Sequence, residues 1–205
     1  MNDILYEGPR LRLRRADLTD LDYILELEYR AENVKYIVPF DKLFHTKVLE
    51  GHVEESMDVL AEEIATGERV GYFLINGLKT EAKEIEWTHV VIDKKGCGYG
   101  HEAMKLLKAW SFDVLGFHRA WLDCKDYNAR ALHLYETEGM LREGLIRETI
   151  VTNGRYENLV ILGMLARLQK THGKVYQAAL IGSVQFTKSI LISIYQAENK
   201  CLFIN

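Results

Sequence analysis

The sequence is poor in the residues and segments that mark several classes of protein. Its 205 residues include three cysteines, Cys97, Cys124 and Cys201, which form neither a Cys-x-x-Cys pair nor a disulfide framework. We therefore expect a reducing compartment. Residues 1–15 carry charges throughout and contain no apolar stretch of signal-peptide length, which argues against export. A cytoplasmic location is the resulting expectation.

Clustered positive charge and long apolar runs are also missing. The net charge is −4, and the basic residues form no run that would mark a nucleic-acid-binding face. Segment 175–196 is rich in Leu, Ile and Tyr, but Gln, Ser and Thr make it too polar for a membrane span of about 20 residues. We expect neither nucleic acid nor a membrane as a partner.

The composition is otherwise that of a globular domain followed by an extension. A hydrophobic content of 48% in a chain of this length is enough for a full core. The character of the sequence changes after Ala166, and Lys188 is the single charged residue of segment 175–196. The sequence predicts a folded domain over residues 1–165 and a C-terminal extension over 166–205. The sequence leaves three alternatives for the extension: packing against the domain, binding of a partner, or disorder. Its apolar residues favour self-association, for example as a homodimer.

Hydrophobic periodicity and turn residues predict a mixed α/β domain. Strands are expected over residues 11–14, 57–63, 70–75, 84–92, 119–124, 145–151 and 155–165, the last two joined by an Asn153-Gly154 hairpin turn. Helices are expected over residues 21–32, with Thr19 as the N-cap, from about 46, over 101–115 and over 128–138. Within the strand over 84–92, alternation predicts one face made of Ile85, Trp87, His89 and Val91, and an opposite face that carries Glu84 and Glu86.

The most informative stretch is 84–103, in which a strand is followed by glycine at every second position and then by an amphipathic helix. Free backbone N–H groups and the positive helix end converge there, so the loop is suited to an anion, most often phosphate. A dinucleotide site is an alternative, with Asp123 at the end of the next strand as the ribose ligand. The spacing argues against it, because the third glycine of that fingerprint would fall at His101.

Two motifs resemble the GNAT superfamily of acetyl-CoA-dependent N-acetyltransferases. The first, Lys95-Gly96-Cys97-Gly98-Tyr99-Gly100, is similar to its pyrophosphate loop, with Lys95 in place of the usual Gln or Arg. The second is similar to a signature of an asparagine and a tyrosine seven residues apart, here Asn128 and Tyr135. Nearly two helical turns separate them, so both lie on one helix face. The resemblance spans residues 11–165 and is strongest to the branch of ribosomal-protein N-terminal and spermidine acetyltransferases.

The resemblance implies a GNAT-like acyl-CoA N-acyltransferase fold. Its twisted sheet is mostly antiparallel, flanked by helices, with a splayed parallel strand pair where acetyl-CoA inserts. It also implies direct transfer of an acetyl group to a primary amine of a polyamine, an amino acid or a protein N-terminus. The glycine loop would hold the pyrophosphate. The preceding strand and Asn128 would bind the pantetheine arm. The implied acetyl-CoA-binding residues are Val90, Val91, Ile92, Lys95, Gly96, Cys97, Gly98, Tyr99, Gly100 and Asn128.

Acetyl transfer requires a base and an acid. An alkyl ammonium must lose a proton before it attacks, at a cost of roughly 4–5 kcal/mol near neutral pH. The resemblance places the base at Glu86 and assigns to Tyr135 the protonation of the departing thiolate. A solvated strand position is an equal alternative for Glu86. His89 is the reserve base, because a bulge near residues 89–91, also implied by the resemblance, would turn it to the other face.

Further candidates lie outside the two motifs or carry no catalytic role. Tyr36 and Trp87 are candidate amine-pocket residues, with core packing as the alternative. Cys97 lies in the phosphate loop, far from the expected thioester, so no catalytic role is assigned to it. The histidines and acidic residues show no metal-ligand spacing, so no metal is expected. The competing hypothesis is an acetyl-CoA-binding sensor or scaffold without turnover, in which Glu86 and Tyr135 only pack.

Overall fold

Residues 3–167 are described by a computed structural model, and they form an eight-stranded mixed sheet with helices on both faces. The α/β prediction is therefore confirmed. The strands are β1 Ile4–Glu7, β2 Leu11–Arg15, β3 Met57–Glu63, β4 Arg69–Asn76, β5 Glu84–Ile92, β6 Arg119–Lys125, β7 Leu141–Thr152 and β8 Arg155–Leu165. The α-helices are α1 Leu21–Tyr29, α2 Lys42–Leu49, α3 Tyr99–Ala109 and α4 Ala129–Thr137.

The sheet is antiparallel except at one pair of strands. Its order is β1-β2-β3-β4-β5-β6-β8-β7, and β5 and β6 are the parallel neighbours. These two strands are in register from Glu84 opposite Arg119 to Glu86 opposite Trp121, and no further. Beyond that point β6 remains paired with β8 as far as Lys125, while β5 remains paired with β4. The expected splayed parallel pair is thus confirmed.

Several predicted boundaries were wrong because side-chain caps and edge pairing decide them. Strand β1 was not predicted. The side chain of Asp17, rather than Thr19, caps the 3₁₀ turn that precedes α1, by accepting a hydrogen bond from the Thr19 N–H. Helix α1 ends at Tyr29, and α2 begins four residues before Thr46, where the Asp41 side chain accepts from the Phe44 N–H. Strand β7 extends back to Leu141 because it pairs with β8 along nearly its whole length.

The predicted faces of β5 were wrong in its second half. Opposite β4, His89 pairs with Leu74 and Trp87 pairs with Ile75, so Thr88 is an extra residue at a β-bulge. Ile85 and Trp87 pack in the core cluster under α3 and α4, whereas Val91 packs with Tyr72 and Leu74 in the cluster under α1 and α2. The bulge shifts the alternation by one residue, so His89 and Val91 lie on the face opposite Trp87.

The helices and strands above belong to one compact unit, Met1–Ala166. Residues 168–205 lie outside the described part of the chain, so the extension's predicted role and the predicted homodimer remain predictions. Within the described residues, no helix is long and apolar enough to cross a membrane.

Candidate active site

A cleft of about 600 Å³ opens where β5 and β6 diverge. Its walls come from the loop after α1, the second half of β5, the glycine loop, the first turn of α3, the end of β6 and one face of α4. Local features of the sequence form most of these walls: the strand ends of β5 and β6, the glycine turns before α3 and the Asn128 cap of α4. The separation of two parallel strands leaves an opening that these elements enclose.

The glycine loop presents free backbone N–H groups to the cleft. Gly96 and Gly98 have φ of 84° and 77°, in the left-handed region that favours glycine. Gly98 is the N-cap of α3, and no side chain caps the helix, so the N–H groups of its first turn have no intrahelical partner. The loop is held from outside by Arg10, whose guanidinium donates to the Cys97 carbonyl (3.1 Å) and pairs with Glu102 (2.7 Å). An anion site is therefore preformed at this end of the cleft.

Cations surround this anion site. Lys95 forms an ion pair with Glu32 from the loop after α1, and Lys94 forms one with Glu68. Arg130, in the first turn of α4, lines the cleft and makes no ion pair with any other described residue. The unpaired guanidinium is the positive charge most readily available to a phosphate.

Helix α4 supplies the opposite wall. Asn128 is its N-cap, and the side-chain oxygen of Asn128 accepts a hydrogen bond from the Ala131 N–H (3.3 Å), which leaves the amide NH₂ available. Tyr135 is 6% exposed, and burial raises the pKa of its phenol strongly. Its hydroxyl makes no hydrogen bond within residues 3–167. Leu134 packs so closely on Gly100 that a Cβ there would lie 3.3 Å from a Leu134 methyl carbon.

Two carboxylates lie near the β5 bulge. Glu86 is half-buried, and burial, followed by the charge of Asp123, raises the pKa of its carboxyl. Asp123 lies two residues beyond the last β6 residue that pairs with β5, and although its side chain is open to the cleft, the surrounding protein desolvates the carboxyl and raises its pKa. Thr88, at the bulge, accepts a hydrogen bond from Asn76 (2.7 Å). Asp123 and Thr88 line the cleft, whereas Glu86 does not.

Most of the predicted site residues line this cleft: Tyr36, Trp87, Val90, Val91, Ile92, Lys95, Gly96, Gly98, Tyr99, Gly100, Asn128 and Tyr135. Cys97 is exposed and, like Glu86, lies outside the lining. Trp87 is 1% exposed and its indole N–H donates to Ser111 (3.2 Å), so its ring is anchored in the core and only borders the cleft. Tyr36 is more open and lies against Tyr127, with 6.1 Å between ring centroids.

The loop after α1, which carries Tyr36, is fastened to the β7–β8 hairpin. Lys125 is 2% exposed, and its ammonium donates to the Lys35 carbonyl (3.0 Å) and to Thr152 (2.8 Å). It also pairs with Glu157 (2.8 Å). The Tyr127 hydroxyl donates to the same Lys35 carbonyl (2.7 Å). A lysine at a strand end gives no sequence signal for this role, which depends on two distant segments.

Sequence reasoning missed three cleft residues that carry functional groups. Thr88 gave no signal, because a bulge depends on the partner strand. Arg130 lies within the second motif but was not singled out. Asp123 was considered only as a ribose ligand, although an acid at the end of a strand beside a predicted splayed pair was a usable signal.

The cleft combines a splayed strand pair, a glycine loop that opens a helix, and a buried tyrosine on the facing helix. These features define the site of an acyl-CoA acyltransferase. The Acetyltransferase (GNAT) domain matches residues 10–141 of the sequence, and the chain belongs to this family of acetyltransferases. The family resemblance and the acetyltransferase class expected from the two motifs are confirmed.

Individual relatives are spermidine acetyltransferases. The chain is 23% identical over 154 residues to spermidine N(1)-acetyltransferase of Escherichia coli K12, a match that covers 73% of this chain and 83% of the relative. A crystal structure of spermidine N-acetyltransferase from Vibrio cholerae in complex with CoA and spermine superposes with a TM-score of 0.70 at 22% identity, covering 78% of this chain and 98% of that one. A GNAT acetyltransferase from Bacillus anthracis has a TM-score of 0.67 at 18% identity, with coverage of 79% and 98%.

Proposed function

We propose that the cleft binds acetyl-CoA and that the enzyme transfers the acetyl group directly to a primary amine of a polyamine. The observation that carries the proposal is the cleft between β5 and β6, which has an anion site at one end and Asp123 and Tyr135 at the other. One extended ligand with a diphosphate and a reactive terminus fits this arrangement of charges. The Vibrio cholerae structure in complex with CoA and spermine supports both the cosubstrate and the acceptor class.

The described residues fit acetyl-CoA. The N–H groups from Gly96 to Gly100 would hold the pyrophosphate, because they converge at an uncapped helix start. Arg130 would pair with a further phosphate. Residues 90–92 of β5 have lost their parallel partner, so their backbone can pair with the pantetheine amides, and the free NH₂ of Asn128 can donate to the same arm. Bound acetyl-CoA would supply the thioester.

The residues around the bulge would supply the proton transfers. An alkyl ammonium with a pKa near 10.4 must lose a proton to become a nucleophile. We retain Glu86 as the proposed base and add Asp123, because burial and the charge of Asp123 both raise the pKa of Glu86, and desolvation raises the pKa of Asp123. Tyr135 would protonate the leaving thiolate, since burial raises its pKa and keeps the phenol protonated at neutral pH.

A polyamine fits the acidic end of the cleft better than a single neutral amine. Asp123 lines the cleft near the β5 bulge, and Glu86 lies close enough for the charge of Asp123 to act on it. A cation with several ammonium groups can interact with both carboxylates, whereas a peptide N-terminus offers one charge. Tyr36, on the loop after α1, adds an aromatic face for an ammonium group.

The test is turnover with a panel of acceptors. Release of free CoA thiol from acetyl-CoA should saturate with spermidine and spermine, with kcat/KM at least about tenfold above that for amino acids or N-terminal peptides. Titration calorimetry should show binding of acetyl-CoA in the absence of any amine. Binding without turnover on any acceptor would instead support the sensor hypothesis, and a preference for peptides would reject the polyamine assignment.

A further inference from the structure

Four buried titratable side chains form a chain that the reaction described above does not use. They are His89 on β5, Glu28 on α1, His45 on α2 and Asp58 on β3, with exposures of 6%, 0%, 0% and 1%. None of them lines the catalytic cleft. Buried ionisable groups are expensive, so four in contact with one another call for an explanation.

The four groups are arranged in sequence. His89 Nδ1 lies 2.6 Å from Glu28 Oε1, and His45 Nδ1 lies 2.9 Å from Asp58 Oδ2. The two halves meet where His45 Nε2 lies 3.8 Å from Glu28 Oε1. The other Glu28 oxygen accepts the Phe40 N–H (3.1 Å), which fixes the carboxylate between the two imidazoles. A small rotation of one side chain would complete a continuous row of hydrogen bonds.

Two atoms in the row have no hydrogen-bond partner within the described residues, His45 Nε2 and Asp58 Oδ1. Leaving a buried polar atom unpaired costs about 1–3 kcal/mol. A purely structural network would be expected to satisfy these atoms. A chain that passes protons needs a site that can alternate between donor and acceptor, and the gap between Glu28 and His45 is such a site.

The two ends of the chain face different spaces. At the first end, Glu86 and Asp123 lie within electrostatic reach of His89, whose Nε2 has no partner within residues 3–167. At the second end, Asp58 lines a separate cavity of about 210 Å³ that shares no lining residue with the cleft. The rings of Phe40 and Phe44 lie 5.3 Å from His89 and 5.5 Å from His45, centroid to centroid. These apolar walls restrict water between the ends.

We propose, on the basis of the function proposed above, that His89, Glu28, His45 and Asp58 conduct the proton released by the acceptor amine from the catalytic cleft to this second cavity. An ammonium and an acetyl thioester give an amide, a thiol and one proton. Of the three N–H protons of the ammonium, one stays on the amide nitrogen, one replaces the acetyl group on sulfur, and the third must leave.

The excess proton passes from the base near the bulge to His89 Nε2. His89 Nδ1 then gives a proton to Glu28, which passes one to His45 Nε2, and His45 Nδ1 gives one to Asp58. Asp58 releases its proton to water in the cavity, and no oxidant or other reactant is required.

Polar and charged groups on three neighbouring strands face His89. The Tyr72 hydroxyl from β4 lies 3.0 Å from His89 Nδ1, and Glu86 and Asp123 face His89 from β5 and β6. Burial raises the pKa of Asp58, and the nearby charge of Glu28 adds to that shift. A proton can therefore reside on Asp58 closer to neutral pH than on an exposed aspartate, which suits an exit group.

The test replaces His45 by a side chain of similar shape that cannot carry a proton. In His45→Gln, we expect kcat for spermidine acetylation in dilute buffer to fall about tenfold or more, because proton exit becomes limiting. KM for acetyl-CoA should stay unchanged, and added imidazole should restore the rate by carrying the proton instead. The matched control is Phe44→Leu, which disturbs the packing around His45 without removing a proton carrier and should keep kcat within about threefold.

Two results would overturn the proposal: an unchanged kcat in His45→Gln, or a loss that matches Phe44→Leu and does not respond to imidazole. If His45→Gln does not fold, Asp58→Asn tests the cavity end with the same readouts. A measurement independent of turnover is ¹⁵N NMR of His89, whose ring-nitrogen chemical shifts should change in Asp58→Asn, because His89 is coupled to Asp58 through Glu28 and His45. If the wild type acetylates no amine, the proposed function fails by itself, and unchanged ring-nitrogen shifts of His89 reject the proton path separately.

Discussion

Replacing Tyr135 by phenylalanine tests the proposed acid most directly. The substitution removes one hydroxyl from a ring that is 6% exposed in the main core cluster and leaves the packing of the ring intact. No described side chain or backbone group hydrogen-bonds to that hydroxyl, so its loss leaves no buried group unsatisfied. Stability should therefore change by less than about 1 kcal/mol.

The effect on turnover should be much larger. General acid catalysis contributes about 10²–10⁴ in rate, so kcat should fall by at least about a hundredfold, or about 2.7 kcal/mol in activation free energy. Because burial is the main cause of the raised pKa of Tyr135, the phenol remains protonated through the neutral range. The wild-type kcat should accordingly show no loss from Tyr135 ionisation up to about pH 9.

The assay is thiol release with spermidine, run beside calorimetry with acetyl-CoA and a thermal melt. Tyr23→Phe is the matched control, since Tyr23 is a partly buried phenol outside the cleft whose hydroxyl contacts Asp93 at 3.5 Å. We expect wild-type kcat in the control and unchanged acetyl-CoA affinity in both variants. A kcat for Tyr135→Phe within about threefold of wild type, with affinity intact, would refute the acid role.

Three further substitutions test other parts of the site. Gly98→Ala forces a side chain into φ of 77° and should weaken acetyl-CoA binding about tenfold by calorimetry. Gly116→Ala is the control, because Gly116 has φ of 71° but lies outside the cleft, and it should cost similar stability without changing affinity. Glu86→Gln should raise Tm at pH 8 by roughly 2 °C while lowering kcat. Burial raises the pKa of Glu86 in the folded state, so ionisation of its carboxyl destabilises the fold at high pH. The gain in Tm should vanish below about pH 4, because the carboxyl is then protonated in the folded and the unfolded state. Lys125→Met removes the hydrogen bonds from the Lys125 ammonium to Lys35 and Thr152 and should lower the free energy of unfolding by about 2 kcal/mol. Because the loop that carries Tyr36 is then no longer held, steady-state kinetics should show a larger rise in KM for spermidine than in KM for acetyl-CoA.

The parts of the site that the sequence could predict are those that depend on local backbone chemistry. Asn153-Gly154 forms the predicted hairpin turn because both residues adopt positive φ, at 50° and 74°. The glycine loop was predictable for the same reason. The Asn128 and Tyr135 pair was predictable because a helix fixes the relation between positions seven apart. In each case the information lies within a few residues of the feature.

The parts that could not be predicted depend on partners distant in sequence. Strand β1 exists because it pairs with β2, and its own four residues carry no distinctive pattern. The bulge at Thr88 depends on the register with β4, so alternation along β5 alone placed His89 on the wrong face, and only the family resemblance implied a bulge, near residues 89–91. Lys125 gave no signal because its partners, Lys35 and Thr152, lie on separate segments of the chain.

The bulge explains why one strand can serve both the cleft and the proposed proton path. A regular strand would put Trp87 and His89 on the same face, and His89 would then lie in the core beneath α3. The extra residue instead lets Trp87 donate to Ser111 on one side of the sheet while His89 contacts Glu28 on the other. These two contacts fix the strand on both faces of Thr88, at the point where β5 and β6 part. The bulge at Thr88 therefore places the His89 imidazole on the face of the sheet that carries Glu28, where the proposed proton path begins.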